Sequence, residues 1–375
     1  MLSASERDRY QRHLALAEIG LEGQERLKAA RVLVVGAGGL GSPAAMYLAA
    51  AGIGTLGIVD HDRVELSNLQ RQLLFATGDV GRLKAEAARD RLEGLNPQIG
   101  VIAHALELRA ANAREVLEPY EVILDGSDRL ATRYLVSDAC VLLGKPLVSA
   151  AIHRFEGQVT TCDPPRGPCY RCLFPDAQDG VAASCADAGV LGAIQATEAI
   201  KLILGAGASL MGRLLTYDAL EMSFREFPLA RRRDCASCGE HPTITTLSDR
   251  DELCDESSER IRRLSPAQLV AALGAADALG PIPLRRIALV DVREPAEFAI
   301  GRLQGAVNIP VGDLPARIAE IPRDATPVFI CRSGRRSLNA CTLAMRGGIE
   351  SPAHLEGGLL AWAREVDPGF ALDTP

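Results

Sequence analysis

Residues 31–41 read Arg31-Val32-Leu33-Val34-Val35-Gly36-Ala37-Gly38-Gly39-Leu40-Gly41, and an alanine-rich segment, 43–51, follows them. The first five residues form a short apolar run typical of a buried strand, whereas the alanine-rich segment favours a helix. Glycines in the turn permit a sharp bend and a close approach of the backbone to phosphate. The helix N-terminus can bind an anion. The candidate nucleotide-binding glycines are therefore Gly36, Gly38, Gly39 and Gly41.

Further apolar runs alternate with helical segments. The next one, 56–60, ends in Asp60, 24 residues after Gly36, and two others are 122–125 and 146–149. This alternation predicts a Rossmann-like, doubly wound α/β fold with a parallel sheet. The glycine turn alone is compatible with NAD, with other nucleotides, or with a turn that binds nothing.

A polar, charged segment divides the chain. We interpret residues 246–264 as a linker, because they offer little apolar surface to pack. A new apolar strand at 287–291 opens a segment with its own alternation of strands and helices. The predicted organisation is a nucleotide-binding domain at 1–245, the linker, and a small α/β domain at 265–375.

Composition excludes several classes of protein. The 375 residues are 47% hydrophobic and carry a net charge of -7, without a dense basic block, so we expect no nucleic-acid partner. No apolar run reaches the ~18 residues of a membrane helix, and the polar first residues lack the pattern of a signal peptide. We therefore expect no membrane association, a cytoplasmic location, and reduced thiols at the ten cysteines.

Charged residues after the second strand point away from hydride transfer. The segment 60–72 is followed by Lys84, and Asp128 follows the third strand run. Arg71 and Lys84 can offset the charge of a triphosphate, and Asp128 is an oxygen ligand suited to Mg²⁺. Each residue taken singly is more often a solvated surface charge. Their joint occurrence indicates ATP and Mg²⁺.

The glycine turn, the run Ser67 to Gln72 and the run Ser184 to Gly192 resemble the MoeB/ThiF family of adenylyltransferases, relatives of ubiquitin-activating enzymes. The resemblance covers 9–245. It implies that Asp60 and Asp62 lie near the ribose, and that Asp128 organises Mg²⁺. The residues implied to hold the ATP phosphates are Asn68, Arg71, Gln72 and Lys84.

The resemblance has two further implications, for Arg12 and for Arg129. Arg12 matches an arginine that the family contributes across a homodimer, which implies a shared active site. Arg129 stands where the family usually has asparagine, so the hydrogen bonding beside Asp128 departs from the family pattern.

Two Cys-x-x-Cys pairs, Cys169/Cys172 and Cys235/Cys238, could complete a tetrahedral thiolate shell. The 62 residues between the pairs exceed ordinary zinc-ribbon spacing, so the spacing leaves a redox pair open. The family resemblance implies a structural Zn²⁺. Cys185 lies in a stretch of small residues, where a buried apolar thiol is the commoner role. The resemblance implies that Cys185 receives an acyl group or resolves a disulfide.

Cys331 follows an apolar strand and precedes a helical segment, so backbone amides and Arg332, Arg335 and Arg336 would stabilise a thiolate or bind an anion such as a persulfide. A phosphatase loop is the competing interpretation. It requires arginine six positions after the cysteine, where this chain has Ser337. The loop and the segment from Asp291 resemble rhodanese domains, which implies that Cys331 carries a persulfide.

Together these features predict an adenylyltransferase and sulfurtransferase of the fused type. By resemblance its substrate is a ubiquitin-fold sulfur carrier ending in Gly-Gly, which would serve molybdopterin, thiamin, cysteine or tRNA-thiolation pathways. The sulfur would come from a sulfane donor such as a cysteine desulfurase or thiosulfate. The alternatives are an NAD-dependent oxidoreductase with a sulfur-sensing domain, and a non-catalytic scaffold for a ubiquitin-like protein.

Overall fold

The computed structural model of the chain describes residues 1–164, 166–175, 188–249, 261–274 and 287–372. These residues form two compact units, one up to residue 249 and the other from residue 261. Among the described residues, no helix combines the length and the apolarity needed to cross a bilayer.

The first unit contains an eight-stranded sheet in the order β3-β2-β1-β4-β5-β6-β7-β8. Strands β1 to β5 are parallel, and β6 to β8 extend the sheet with antiparallel pairs. The strands are β1 Arg31–Val35, β2 Thr55–Val59, β3 Gly100–His104, β4 Val122–Asp125, β5 Leu147–His153, β6 Glu156–Cys162, β7 Arg213–Asp218 and β8 Ser223–Pro228. The predicted parallel sheet is confirmed, whereas the antiparallel extension was not predicted.

Helices cover both faces of this sheet. They are α1 Ala4–Arg9, α2 Gln11–Leu14, α3 Gly20–Ala29, α4 Gly41–Ala51, α5 Lys84–Leu95, α6 Ala110–Leu117, α7 Leu130–Leu143, α8 Tyr170–Leu173 and α9 Gly189–Leu204. Within β1, Val32 and Val34 join a core on one face, and Leu33 and Val35 join a core on the other. Burial of both faces explains why β1 is a continuous apolar run rather than an alternating one.

The chain leaves β1 toward β2 on one side and later returns to β4 on the other. This reversal places a crevice at the carboxyl ends of β1 and β4, where open α/β sheets bind ligands. The two loops touch there, because a Cβ on Gly36 would lie 3.1 Å from the Gly126 carbonyl oxygen.

The second unit is a five-stranded parallel sheet in the order β11-β10-β12-β13-β9. Its strands are β9 Arg262–Leu264, β10 Ile287–Asp291, β11 Val307–Asn308, β12 Thr326–Ile330 and β13 Ala353–Leu355. Its helices are α10 Pro266–Gly274, α11 Pro295–Ile300, α12 Leu314–Arg317, α13 Arg335–Arg346 and α14 Gly358–Glu365. Apolar clusters lie on both faces of the sheet.

Both ends of the predicted linker belong to folded units. Leu247 packs against a core of the first unit, and the Asp249 carboxylate accepts a hydrogen bond from the Ala110 amide at 2.8 Å, at the start of α6. Strand β9 lies at the other end, in residues predicted as linker. The polar composition of residues 246–264 suggested a linker throughout. Sequence does not distinguish a carboxylate that accepts a helix amide, such as that of Asp249, from a carboxylate in solvent.

Candidate active site

The glycine turn between β1 and α4 is closed on its inner side and open on its outer side. A Cβ on Gly41 would lie 1.8 Å from the Gly36 carbonyl oxygen, so only glycine fits. Gly36 itself has a φ of +88°, which favours glycine. A Cβ on Gly38 would meet nothing nearer than Gln72 Nε2 at 3.8 Å. The backbone at Gly38 is therefore accessible to a phosphate group.

Asp60 fixes this turn to the end of β2. Its two carboxylate oxygens each accept a backbone amide at 2.9 Å, from Ala37 and from Asp62. Burial raises the pKa of the Asp60 carboxyl, and the nearby charge of Lys84 opposes that effect. Asp60 thus organises the glycine turn, and its place near a ribose stays a prediction.

Lys84 is a nearly buried cation at the same edge of the sheet. It is the first residue of α5, and its Nζ lies 3.1 Å from the Asp62 carboxylate, which is half exposed. A buried lysine is rarely retained without a charged partner. Lys84 is thus a buried cation paired with Asp62, and its role in binding phosphate stays a prediction.

Asn68 ends a short 3-10 helix, Leu66–Asn68, and Arg71 and Gln72 follow it near the glycine turn. The aliphatic part of Arg71 crosses the turn, since its Cγ and Cδ would lie 3.5 Å from a Cβ on Gly39. Gln72 is buried, and its Oε1 has no hydrogen-bond partner among the described residues. Such an amide oxygen can accept a hydrogen bond from a ligand donor or bind a cation.

Asp128 is exposed in the loop after β4, and Arg129 forms the N-cap position of α7. Arg129 Nη1 pairs with Glu107 Oε1 at 2.9 Å, and this contact lowers the pKa of the Glu107 carboxyl. An asparagine could accept a hydrogen bond from the helix amides, which arginine does not do here. Arginine at this position thus offers no acceptor to the helix amides and forms an ion pair with a neighbouring loop.

Asp125 was missed by the sequence analysis. It is fully buried at the end of β4, and burial raises the pKa of its carboxyl. Ser127 donates to Asp125 Oδ1 through its amide at 3.0 Å and its hydroxyl at 2.6 Å. Asp125 therefore shapes the loop that carries Asp128. The position of an acidic residue at the end of the apolar run 122–125 could have indicated this role.

The residues at the carboxyl edge of this sheet are compatible with a nucleotide polyphosphate. Backbone amides of the glycine turn and the cations Arg71 and Lys84 can offset phosphate charge, and Asp128 is an exposed carboxylate in the loop after β4. Two predicted residues are not brought to this crevice in the part of a single chain that the structure describes. Arg12 is exposed on α2, and Cys185 lies outside the described residues.

The four cysteines of the Cys-x-x-Cys pairs come together in the first unit. Their sulfur atoms lie within 4.8 Å of one another, with separations of 3.4 Å for Cys172–Cys238 and 3.5 Å for Cys169–Cys235. Tetrahedral Zn–S bonds of about 2.3 Å require sulfur separations close to these. A hydrogen bond from Cys169 lowers the pKa of Cys172, which favours a thiolate there. The donor set fits zinc, and no disulfide joins the pairs.

Cys331 is buried at the end of β12, where the chain curls into α13. Two backbone amides donate to its sulfur, from Gly334 at 3.1 Å and from Ser337 at 3.3 Å. Gly334 has a φ of +90°, which lets the loop close tightly. The predicted amide cradle is therefore present.

Two arginines of this loop, Arg332 and Arg336, have partners other than the sulfur. Arg336 forms a bidentate pair with Glu297 at 2.6 and 2.7 Å, which raises the pKa of the arginine. Arg332 donates to the Leu372 carbonyl oxygen at 3.2 Å, and the Arg335 side chain is not among the described atoms. The sulfur thus receives its close hydrogen bonds from amides, while Arg336 is partly neutralised.

Comparison with known proteins identifies both units. A model of the ThiF family matches residues 10–238, and a model of the rhodanese-like domain matches residues 265–365. The chain belongs to the ThiF family. It also carries a rhodanese-like domain, so the predicted pairing of these two folds is confirmed.

Relatives with this pairing of activities match along nearly the whole chain. The probable adenylyltransferase/sulfurtransferase MoeZ of Mycobacterium tuberculosis H37Rv is 44% identical over 99% of this chain and 96% of its own length. The adenylyltransferase and sulfurtransferase MOCS3 of Aedes aegypti is 41% identical over 99% of this chain and 90% of its own length. This chain is accordingly an adenylyltransferase and sulfurtransferase, which excludes the oxidoreductase and scaffold alternatives.

Two other similarities cover about two thirds of this chain. The sulfur carrier protein adenylyltransferase of Thermus thermophilus is 51% identical over 66% of this chain and 97% of its own length. The crystal structure of Escherichia coli MccB with ATP has a TM-score of 0.55 and 25% identity, and covers 61% of this chain and 74% of that chain. The Rossmann-like fold prediction is confirmed, and the family uses ATP.

Proposed function

We propose that the first unit adenylates the C-terminal glycine of a ubiquitin-fold sulfur carrier ending in Gly-Gly, and that Cys331 of the second unit supplies the sulfur. The product is a carrier with a C-terminal thiocarboxylate. The observation that carries the proposal is the amide-lined thiol of Cys331 on the same chain as a polyphosphate-compatible crevice. The relative from Thermus thermophilus, named for a sulfur carrier protein, supports this choice of substrate.

Adenylation converts a poor electrophile into a good one. The carrier carboxylate attacks the α-phosphorus of ATP, the bond to the β-phosphate breaks, and pyrophosphate leaves. Amides at Gly38 and the α4 N-terminus, together with Arg71 and Lys84, offset the phosphate charge. Asp128 would hold Mg²⁺, which neutralises further phosphate charge when bound. Asp60 and Asp62, beyond the end of β2, would lie near the ribose.

Sulfur transfer uses the thiolate of Cys331. It attacks the outer sulfur of a sulfane donor, such as a cysteine desulfurase persulfide or thiosulfate, and the donor thiolate or sulfite leaves with the electron pair. The persulfide then attacks the acyl adenylate and expels AMP. Attack by the Cys185 thiolate on Cys331 releases the thiocarboxylate, and a cellular dithiol reduces the resulting disulfide. In a variant order, Cys185 first takes the acyl group as a thioester.

Zinc and location complete the proposal. Cys169, Cys172, Cys235 and Cys238 would hold a structural Zn²⁺, which closes the fold of the first unit around these residues. Four metal-binding thiolates and a persulfide-forming thiol both require reducing conditions. We therefore place the protein in the cytoplasm.

Cys331→Ala is expected to abolish thiocarboxylate formation from thiosulfate while ATP–pyrophosphate exchange continues, because only the sulfur nucleophile is lost. The assay combines ATP, Mg²⁺, thiosulfate and candidate Gly-Gly carriers, and reads an oxygen-to-sulfur exchange from the intact carrier mass. Cys341→Ala is the matched control, since Cys341 is buried on α13 of the same unit. No product from the wild type with any carrier would refute the two-step function. Undiminished product from Cys331→Ala would refute the role of Cys331.

A shared active site makes a second prediction. We propose a homodimer in which the exposed Arg12 completes the crevice of the partner subunit. Arg12→Ala and Lys84→Met should then each be inactive alone, but mixed subunits should recover about a quarter of wild-type exchange, because half of the dimers contain one intact site. ATP–pyrophosphate exchange is measured after the two variants have been mixed and their subunits have redistributed. Each variant treated alone in the same way is the control. No recovery in verified heterodimers would contradict the shared site.

A further inference from the structure

A buried histidine lies behind the Cys331 loop. His354 is in β13, paired with Phe329 of β12, and Cys331 follows two residues after Phe329. The His354 side chain is 5% exposed, and its Nδ1 lies 3.4 Å from Ser337 Oγ. The Ser337 hydroxyl in turn lies 3.5 Å from Cys331 Sγ. Three polar side chains thus form a buried row from the reactive sulfur to the sheet.

The Ser337 hydroxyl has one proton and three polar neighbours, which are Cys331 Sγ, the Gly334 carbonyl oxygen and His354 Nδ1. With a neutral thiol, the Cys331 S–H donates to Ser337 Oγ, and the hydroxyl donates to the Gly334 carbonyl oxygen at 3.0 Å. An anionic sulfur cannot donate, so the hydroxyl proton is of most use when it turns to the sulfur. The hydroxyl oxygen can then accept a hydrogen bond, and His354 Nδ1 lies 3.4 Å from it.

We propose that His354 is a positioning residue for sulfur transfer, whose Nδ1–H donates to Ser337 Oγ and directs the Ser337 hydroxyl proton to the anionic sulfur of Cys331. This inference rests on the proposed role of Cys331 as the sulfur carrier of the second unit. The anion would then receive three hydrogen bonds, two from amides and one from the hydroxyl. The 3.4 Å contact is long for a hydrogen bond, and such contacts commonly tighten when the charged species forms.

A role as general base fits less well. Burial lowers the pKa of His354, and the charge of Arg263 on the adjacent strand β9 lowers it further, whereas Glu356 raises it. Protonation would place a second cation beside Arg263 in a buried position. Donation from the neutral Nδ1–H tautomer requires no change of charge.

The test uses the full-length protein and sulfur transfer from thiosulfate to cyanide. The Cys331 thiolate forms a bond to the outer thiosulfate sulfur and sulfite leaves. Cyanide then attacks the terminal persulfide sulfur, which gives thiocyanate and regenerates the thiolate. A second readout is the pH dependence of iodoacetamide alkylation at Cys331, followed by mass spectrometry of the peptide that contains it.

Three variants separate positioning from space filling. His354→Leu and Ser337→Ala remove the donor and the hydroxyl, and are expected to slow transfer about tenfold and move the alkylation midpoint up by about one pH unit. His354→Asn keeps an N–H donor near the Nδ1 position, and should stay within about twofold of wild type. Circular dichroism verifies that each variant is folded.

Two results would overturn the inference. In one, folded His354→Leu transfers sulfur and titrates like the wild type. In the other, His354→Asn is as impaired as His354→Leu, which would assign His354 to packing or to base catalysis. Cys331→Ala distinguishes the underlying proposal, because transfer that persists in this variant refutes the role of Cys331 rather than that of His354.

Discussion

Lys84→Met is expected to reduce carrier-dependent ATP–pyrophosphate exchange by about a hundred- to a thousandfold, the range seen when one preorganised charge-stabilising donor is removed. Lys84 Nζ is nearly buried at the end of β2, and its partner Asp62 is half exposed. The cation is therefore held by the fold before any phosphate arrives, and its attraction for phosphate is screened little by water. Methionine keeps most of the side-chain volume and removes the charge.

Lys28→Met is the control for loss of an ion pair in the same unit. Lys28 pairs with Glu6 at 2.8 Å on the helical segment before β1, outside the crevice. We expect near wild-type exchange from Lys28→Met. Exchange by Lys84→Met within a few-fold of wild type would contradict the assignment of Lys84 to the nucleotide site.

Replacing Cys169 and Cys235 by alanine is expected to remove bound zinc and to lower the thermal midpoint of the first unit strongly. A structural zinc site can contribute about 10–16 kcal/mol to folding in small zinc domains. The first unit also has large apolar cores, so we expect it to be destabilised rather than unfolded by loss of the metal. The paired sulfurs, 3.5 Å apart, join residues 66 positions distant in sequence, so the metal would close a long loop.

Cys140→Ala provides the comparison for loss of a buried thiol alone. Cys140 lies in the core formed on one face of the first sheet and is outside the four-cysteine cluster. Metal analysis and calorimetry of both proteins make the measurement. Unchanged zinc content in the Cys169→Ala/Cys235→Ala protein, or its absence from the wild type, would rule out the zinc assignment.

Sequence alone predicted the parts of the fold whose signals are local. The strand ends at Val35 and Asp125 follow from apolar runs, and the cradle at Gly36 follows from glycine spacing. Strands β6 to β8 were missed because they mix polar and apolar residues, and their pairing is set by the tertiary fold.

The candidate site shows the same division. Lys84, Gln72 and Cys331 were named before their neighbours were known; Lys84 pairs with Asp62, Gln72 is buried near the glycine turn, and Cys331 lies in an amide-lined loop of the second unit. Asp125 and His354 were not named, because a lone acid or histidine in an apolar run shows its partners only after the strands have paired. Family resemblance supplied the implied roles, whereas the structure supplied the neighbours.

The hydrogen bond between Asp249 and Ala110 limits where the chain can be cut to obtain the adenylating and sulfur-transferring units separately. A fragment that stops at residue 245 would lose this acceptor and the packing of Leu247. On the other side, Ile261 is buried in the core of the second unit, so a later start would expose that core. Dissection of the protein into independent halves therefore requires a cut within residues 250–260, well after the last motif of the adenylating unit.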